Sequence, residues 1–142
     1  MNFSPSKEQF IQRAVQKVLS NFLINSLPDN VDTYVKPFVH ERVAPKIFQM
    51  TDLKNLDLYG NLRVFINNHK FFRDSNILND NTALNCAKII LNWRNKIAHR
   101  SYSDVLESYE QSLIEIVAVN RLISLLPLTD SNNEELNDMR QE

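Results

Sequence analysis

The chain has one glycine in 142 residues and one cysteine, Cys86. Glycine gives tight hairpins, phosphate-binding loops and dinucleotide-binding turns their positive φ angles, so its scarcity argues against all three. A single cysteine excludes an intrachain disulfide and a cysteine-based zinc site, and it indicates a reducing compartment in which Cys86 is a small core residue. Helices joined by polar loops are the architecture that remains.

Long apolar runs are also missing. No stretch approaches the roughly 20 apolar residues that a membrane-spanning helix needs. The N-terminal sequence MNFSPSKEQF lacks the charged and then apolar pattern of a signal peptide. We therefore expect a soluble intracellular protein without a membrane partner, cytoplasmic or, in a eukaryote, nuclear.

Apolar residues recur at helical spacing in five segments. We predict helices that begin near Ser6, Asp32, Thr51 or Asp52, Asn81 or Thr82, and Ser101, and that end before Pro28, near Ile47, near Ile66, after Ile97 and at Pro127. Pro45 should kink or split the second helix, and residues 70–82 are predicted to be a loop. The pattern predicts an all-α bundle of four to five helices over residues 1–129, followed by an acidic, polar tail or linker over residues 130–142.

Charge is unevenly distributed. The net charge is −1, but residues 130–142 hold five acids and one arginine, which leaves fifteen basic and twelve acidic residues elsewhere. Between Lys36 and Arg100 there are eleven lysines and arginines and five acids. This basic bias fits a polyanionic partner, and it fits a mixed solvated surface equally well.

The stretch LNWRNKIAHRS, residues 91–101, places an imidazole among cations. At about 100° per residue, a helix that buries Trp93 turns Arg94, Asn95 and His99 to another face. Neighbouring positive charges favour a neutral imidazole. Such a group can deprotonate a ribose 2′-hydroxyl or protonate the leaving 5′-oxygen, while the arginine stabilises charge on the phosphate oxygens. RNA supplies this nucleophile without a metal, and the sequence shows no obvious metal-binding cluster or cofactor site.

Other residues are candidates for substrate binding near this motif. They are Lys96, Arg100, Tyr102, His69, Lys70 and Arg73. Simpler interpretations remain open, because cations at a helix C-terminus complement the helix dipole. A histidine at a helix end beside a loop is also common.

The run from Arg94 to His99, R-N-K-I-A-H, resembles the R-x4-6-H signature of HEPN domains. The segments LDLYGNLRVFINNHKFF and CAKIILNWRNKIAHRS are similar to the subgroup found in a eukaryotic nuclear RNA endonuclease and in bacterial conflict proteins. The resemblance covers residues 31–126. It implies a four- or five-helix bundle that dimerises so that two motifs form one site. It further implies that Arg94 contacts phosphate, Asn95 supports the site and His99 is the catalytic imidazole.

The resulting hypothesis is a metal-independent endoribonuclease with its active site at a homodimer interface. It would cut RNA by 2′-hydroxyl attack in a defence or toxin system, with an antitoxin or a larger complex as a partner. The alternative is a noncatalytic HEPN-like module that binds a nucleotide or a protein within a larger assembly.

Overall fold

The computed structural model describes residues 5–40, 48–98 and 109–126. Their α-helices are α1 (Pro5–Ser26), α2 (Val31–Tyr34), α3 (Leu58–Asn67), α4 (His69–Asp74), α5 (Thr82–Ala98) and α6 (Tyr109–Leu125). Two 3-10 helices cover Lys36–Phe38 and Met50–Asn55. These residues hold no β-strand, so the predicted all-α class is confirmed. None of the described helices is long and apolar enough to cross a membrane.

Helix α1 forms the spine of the core. Its buried apolar residues recur at helical spacing and are Ile11, Ala14, Val15, Val18, Leu19, Phe22 and Leu23. The helix ends at Ser26, two residues before Pro28, as predicted. The side-chain amide of Gln16 donates to the carbonyl oxygens of Lys54 (2.9 Å) and Leu56 (2.8 Å), which fixes the second 3-10 helix against α1.

The predicted second helix is wrong beyond its first turn. Helix α2 has four residues and is capped by Asn30, whose side chain accepts from the Thr33 N–H. Pro37 then lies in the first 3-10 helix, and Val39 is extended. Proline lacks an N–H and disfavours the α conformation in the residue before it, so the chain cannot continue as one α-helix. Residues 41–47, with Pro45, lie outside the described residues.

Helix α3 begins later than predicted. The segment after Thr51 is 3-10 helical, and α3 starts only after Asp57, whose Oδ1 accepts from the Gly60 N–H at 2.9 Å. The buried Asn61 amide donates to the carbonyls of Leu53, Leu56 and Asp57, each at 3.1 Å. These bonds tie the end of the second 3-10 helix to the first turn of α3.

Residues 70–74, predicted as loop, belong to α4. Phe72 explains the helix, because its ring is buried against those of Phe22 (5.0 Å between centroids) and Phe65 (5.6 Å). Irregular structure follows from residue 75 to residue 81, with Asn76 at φ 59°. Asparagine tolerates this left-handed conformation better than most residues.

Helix α5 lies between α3 and α6 and packs against both. It begins at Thr82, as predicted, and Asp80 accepts from the Thr82 N–H at 2.9 Å. Cys86 is buried on the core side of α5, as predicted. Helix α6 ends at Leu125, close to the predicted stop at Pro127. The predicted start of this helix near Ser101 and the tail over residues 130–142 lie outside the described residues.

Candidate functional site

Arg94 and Asn95 occupy the last turns of α5 beside the buried Trp93. Both are partly exposed, and the Arg94 side chain is 23% exposed. The structure thus places them at the edge of the core, where a solvent molecule or ligand reaches the guanidinium. His99, Arg100 and Tyr102 lie outside the described residues, so their assigned roles stay predictions.

Three groups surround the Arg94 guanidinium. Its Nη2 lies 3.3 Å from Asp57 Oδ2, and its Nη1 donates to Asn95 Oδ1 at 3.4 Å. Its Cζ lies 4.9 Å from the centroid of the Tyr59 ring. Two of these partners come from the start of α3, 35 and 37 residues away in sequence, so packing of α5 on α3 creates this cluster.

These contacts orient the Arg94 guanidinium and still allow it to bind a ligand. The Asp57 side chain is 64% exposed, and an ion pair at such a surface contributes at most about 1 kcal/mol. A guanidinium over an exposed aromatic ring adds roughly 0.5–1 kcal/mol. A phosphate can accept two parallel N–H bonds from the same fork, which are charge-assisted and stronger. Arg94 is therefore oriented, and an incoming phosphate can displace Asp57.

The sequence pattern did not identify Asp57 or Tyr59 as site residues. Asp57 does two things at once, because Oδ1 caps α3 while Oδ2 meets Arg94. A signal for the cap was present in the spacing of an aspartate ahead of an apolar helical pattern. Nothing in the local sequence signalled the pairing with Arg94.

A groove of about 1010 Å³ borders this cluster. It runs between the first 3-10 helix, the second 3-10 helix and the start of α3. Twelve described residues line it: Pro37, Phe38, Val39, His40, Phe48, Asp52, Asn55, Leu56, Asp57, Tyr59, Gly60 and Arg63. Asp57 and Tyr59 belong to both the groove and the surroundings of Arg94, so the two features are continuous.

Lys96 points to a different side of α5. Its Nζ lies 2.7 Å from Oε2 of Glu115, an α6 residue that is 2% exposed. A buried carboxylate is costly without a positive partner. The structure therefore gives Lys96, predicted to bind substrate, a role in holding α6 against α5.

His69, Lys70 and Arg73 lie at the other end of the α3–α5 pair. His69 is buried beside Phe65, and the charge of Lys88 on α5 acts on it. Lys88 precedes Arg94 by six residues, or about 9 Å along a helix. Arg73 donates to Asn81 Oδ1 at 2.6 Å, and Lys70 is exposed. The structure does not bring these three residues together with Arg94.

Burial lowers the pKa of His69 from its ordinary value of 6.5. The positive charges of Arg73 and Lys88 act in the same direction, and Asp80 partly opposes them. Its Nε2 has no hydrogen-bond partner among the described residues. Both observations describe a neutral imidazole packed in the core, and neither describes a ligand-binding group.

This pKa makes the fold sensitive to mild acid. Below pH 6.5 the unfolded chain binds a proton at His69 that the folded chain does not, so we expect the free energy of unfolding to fall as pH drops. The fall should stop below the lowered pKa. Urea unfolding between pH 7.5 and 5.5 measures it. His69→Gln should weaken the dependence, whereas the exposed His40→Gln should preserve it. An unchanged dependence in His69→Gln would contradict the assignment.

Comparisons with known proteins gave no match: no protein-family model fits the chain, and neither a curated protein nor a solved structure is similar to it. Among residues 5–40, 48–98 and 109–126, no three His, Cys, Asp or Glu side chains are grouped to hold a metal ion.

Proposed function

We propose that this protein is a metal-independent endoribonuclease of the HEPN type, active as a homodimer. One observation carries the proposal. The arginine of the R-N-K-I-A-H run is held at the protein surface, at the edge of a groove, by partners weak enough for a phosphate to replace. His99 follows five residues later in the same run.

The chemistry needs two proton transfers and one anion-binding group. A neutral imidazole removes the proton of a ribose 2′-hydroxyl, and the 2′-oxygen forms a bond to phosphorus. The bond from phosphorus to the 5′-oxygen breaks, and an imidazolium supplies the proton that this oxygen takes. The products are a 2′,3′-cyclic phosphate and a 5′-hydroxyl. In a homodimer, the His99 residues of the two copies supply the base and the acid.

Arg94 stabilises the charge that develops on the phosphate oxygens. Its planar fork donates two parallel bonds, which a lysine cannot do. Asn95 already contacts this guanidinium through Oδ1, and its amide N–H groups are additional donors for the same phosphate. The proposed sequence of events begins with the phosphate replacing Asp57 at Arg94.

The noncatalytic alternative also has one supporting observation. Arg94 already has a carboxylate, an amide and an aromatic ring around it, as expected for an arginine that fixes a surface for a nucleotide or protein partner. That function predicts binding without turnover. In either case the protein would work inside the cell, and the endoribonuclease would need an antitoxin or a larger complex to restrain it.

Cleavage of end-labelled RNA in the presence of EDTA tests the proposal. We expect cleavage to persist with the chelator, to leave 2′,3′-cyclic phosphate ends and to be lost in His99→Ala. Circular dichroism of the variant checks that its fold is intact. Cleavage that stops with EDTA, or that survives in His99→Ala, would overturn the mechanism. Retained RNA binding without any cleavage would favour the binding module.

A further inference from the structure

Aromatic side chains line the groove beside Arg94. The Tyr59 ring, 39% exposed, lines this groove and also lies against the Arg94 guanidinium. Phe38 adds a second aromatic side chain to the lining. Stacking of a base on an aromatic side chain is a common source of affinity for single-stranded RNA.

We propose that the groove binds the base of the nucleotide whose phosphate lies on Arg94, and that it prefers a base with an exocyclic amino group. This inference rests on the function proposed above. The groove volume of about 1010 Å³ is at the upper end of typical small-ligand sites, so a base and its ribose fit. The shared position of Asp57 and Tyr59 lets one nucleotide reach the groove and Arg94 together.

The charges that line the groove favour a base over a phosphate as the bound group. Two carboxylates, Asp52 and Asp57, and the side-chain amide of Asn55 line it. Carboxylates only accept hydrogen bonds, and they repel a phosphate. Adenine, cytosine and guanine present amino groups to such acceptors, whereas uracil has a carbonyl oxygen where cytosine has its amino group. Arg63 also lines the groove, and its positive charge compensates part of the negative charge of the two acids.

Gly60 provides a direct probe of this groove. It is the only glycine in the chain, so its amide signal in a proton–nitrogen correlation spectrum is identified without full assignment. It lines the groove, and its N–H donates to Asp57 Oδ1 at 2.9 Å. A base that contacts Asp57 or Tyr59 therefore changes the Gly60 chemical shift.

The experiment titrates the full-length ¹⁵N-labelled protein with AMP, CMP, UMP and ribose 5-phosphate. We expect AMP and CMP to shift the Gly60 signal and UMP to bind about tenfold more weakly, the lower part of the range for one base contact. Ribose 5-phosphate lacks a base and reaches Asp57 only through the phosphate on Arg94, so it should shift the Gly60 signal less than AMP or CMP does. Equal shifts with all four compounds, or no shift at millimolar concentration, would overturn the base-binding assignment.

Variants distinguish a loss of base stacking on Tyr59 from a loss of the fold. Tyr59→Ala should abolish the shift with AMP, whereas Tyr59→Phe should retain it, because the ring face does the stacking. Asp57→Asn keeps a good helix cap but adds an N–H donor. It should therefore narrow the difference in binding affinity between CMP and UMP. Unchanged signals elsewhere show that each variant is folded. Preserved discrimination in Asp57→Asn would contradict the role of this carboxylate.

The titration does not depend on catalysis, since these nucleotides contain no phosphodiester to cleave. If the protein cleaves RNA but the Gly60 signal responds equally to all nucleotides, only the assignment of the groove to a base is overturned. Selective nucleotide binding without RNA cleavage would overturn the endoribonuclease and leave a nucleotide-binding module.

Discussion

Arg94→Ala should lower the rate of RNA cleavage by roughly 10²–10³-fold, the usual cost of removing one donor that stabilises transition-state charge. The loss should appear mainly in kcat, because charge on the phosphate oxygens grows as the 2′-oxygen attacks. Stability should change little, since Arg94 pairs at the surface with a mostly exposed carboxylate. Single-turnover cleavage and thermal unfolding of the same preparation measure the two effects.

Two further variants show whether the loss of cleavage in Arg94→Ala comes from the planar guanidinium or from its positive charge. Arg94→Lys keeps the charge and loses the planar fork, so its activity should fall between those of wild type and Arg94→Ala. Lys88→Ala removes an exposed cation from the same helix, six residues upstream. It should cleave at nearly the wild-type rate. Equal losses in Arg94→Ala and Lys88→Ala would mean that only the overall positive charge matters.

Sequence patterns predicted the helices that end at a proline or begin at a cap. Helix α1 stops two residues before Pro28, and α5 begins at Thr82, as predicted. Here the local sequence and the tertiary packing favour the same conformation. The predictions failed where packing decides. Phe72 makes a helix of a segment rich in polar residues, because its ring completes an aromatic cluster with residues from α1 and α3.

The site was predictable only in part. Helical periodicity correctly separated Trp93 in the core from Arg94 and Asn95 at its edge. It gave no information on Lys96, whose partner Glu115 lies on α6. It also left open whether His69 was buried, because that depends on how α4 folds back. Contacts between distant segments are absent from the projection of a single helix, so the sequence pattern of α5 does not reveal which residues surround Arg94.

Helix α3 carries residues of both the hydrophobic core and the candidate site. The first turn of this helix carries Tyr59 and follows Asp57, whereas its last turn carries the fully buried Phe65. The position of α3 on α1 and α5 therefore determines where the Arg94 partners lie. A substitution that loosens α3 should disturb the site even though it touches no site residue.

Phe65→Ala should lower the free energy of unfolding by about 3–5 kcal/mol, the usual cost of removing a buried phenylalanine ring. Its ring packs at 5.8 Å from Phe22, 5.6 Å from Phe72 and 6.5 Å from His69. The loss combines burial, aromatic contacts and the cavity that remains. Domains are typically stable by about 5–15 kcal/mol, so this variant should be close to unfolding. Urea unfolding followed by far-ultraviolet circular dichroism measures the change.

Tyr59→Ala is the matched control, because it removes a ring from the same helix at a position that is 39% exposed. Surface substitutions usually change stability by about 0.5 kcal/mol or less, and loss of the Arg94 contact adds at most about 1 kcal/mol. The two variants should therefore differ by several-fold in destabilisation. Only Tyr59→Ala should lose base binding with its fold intact. If Phe65→Ala and Tyr59→Ala were destabilised to a similar extent, the buried face of α3 would not be what connects the core to the site.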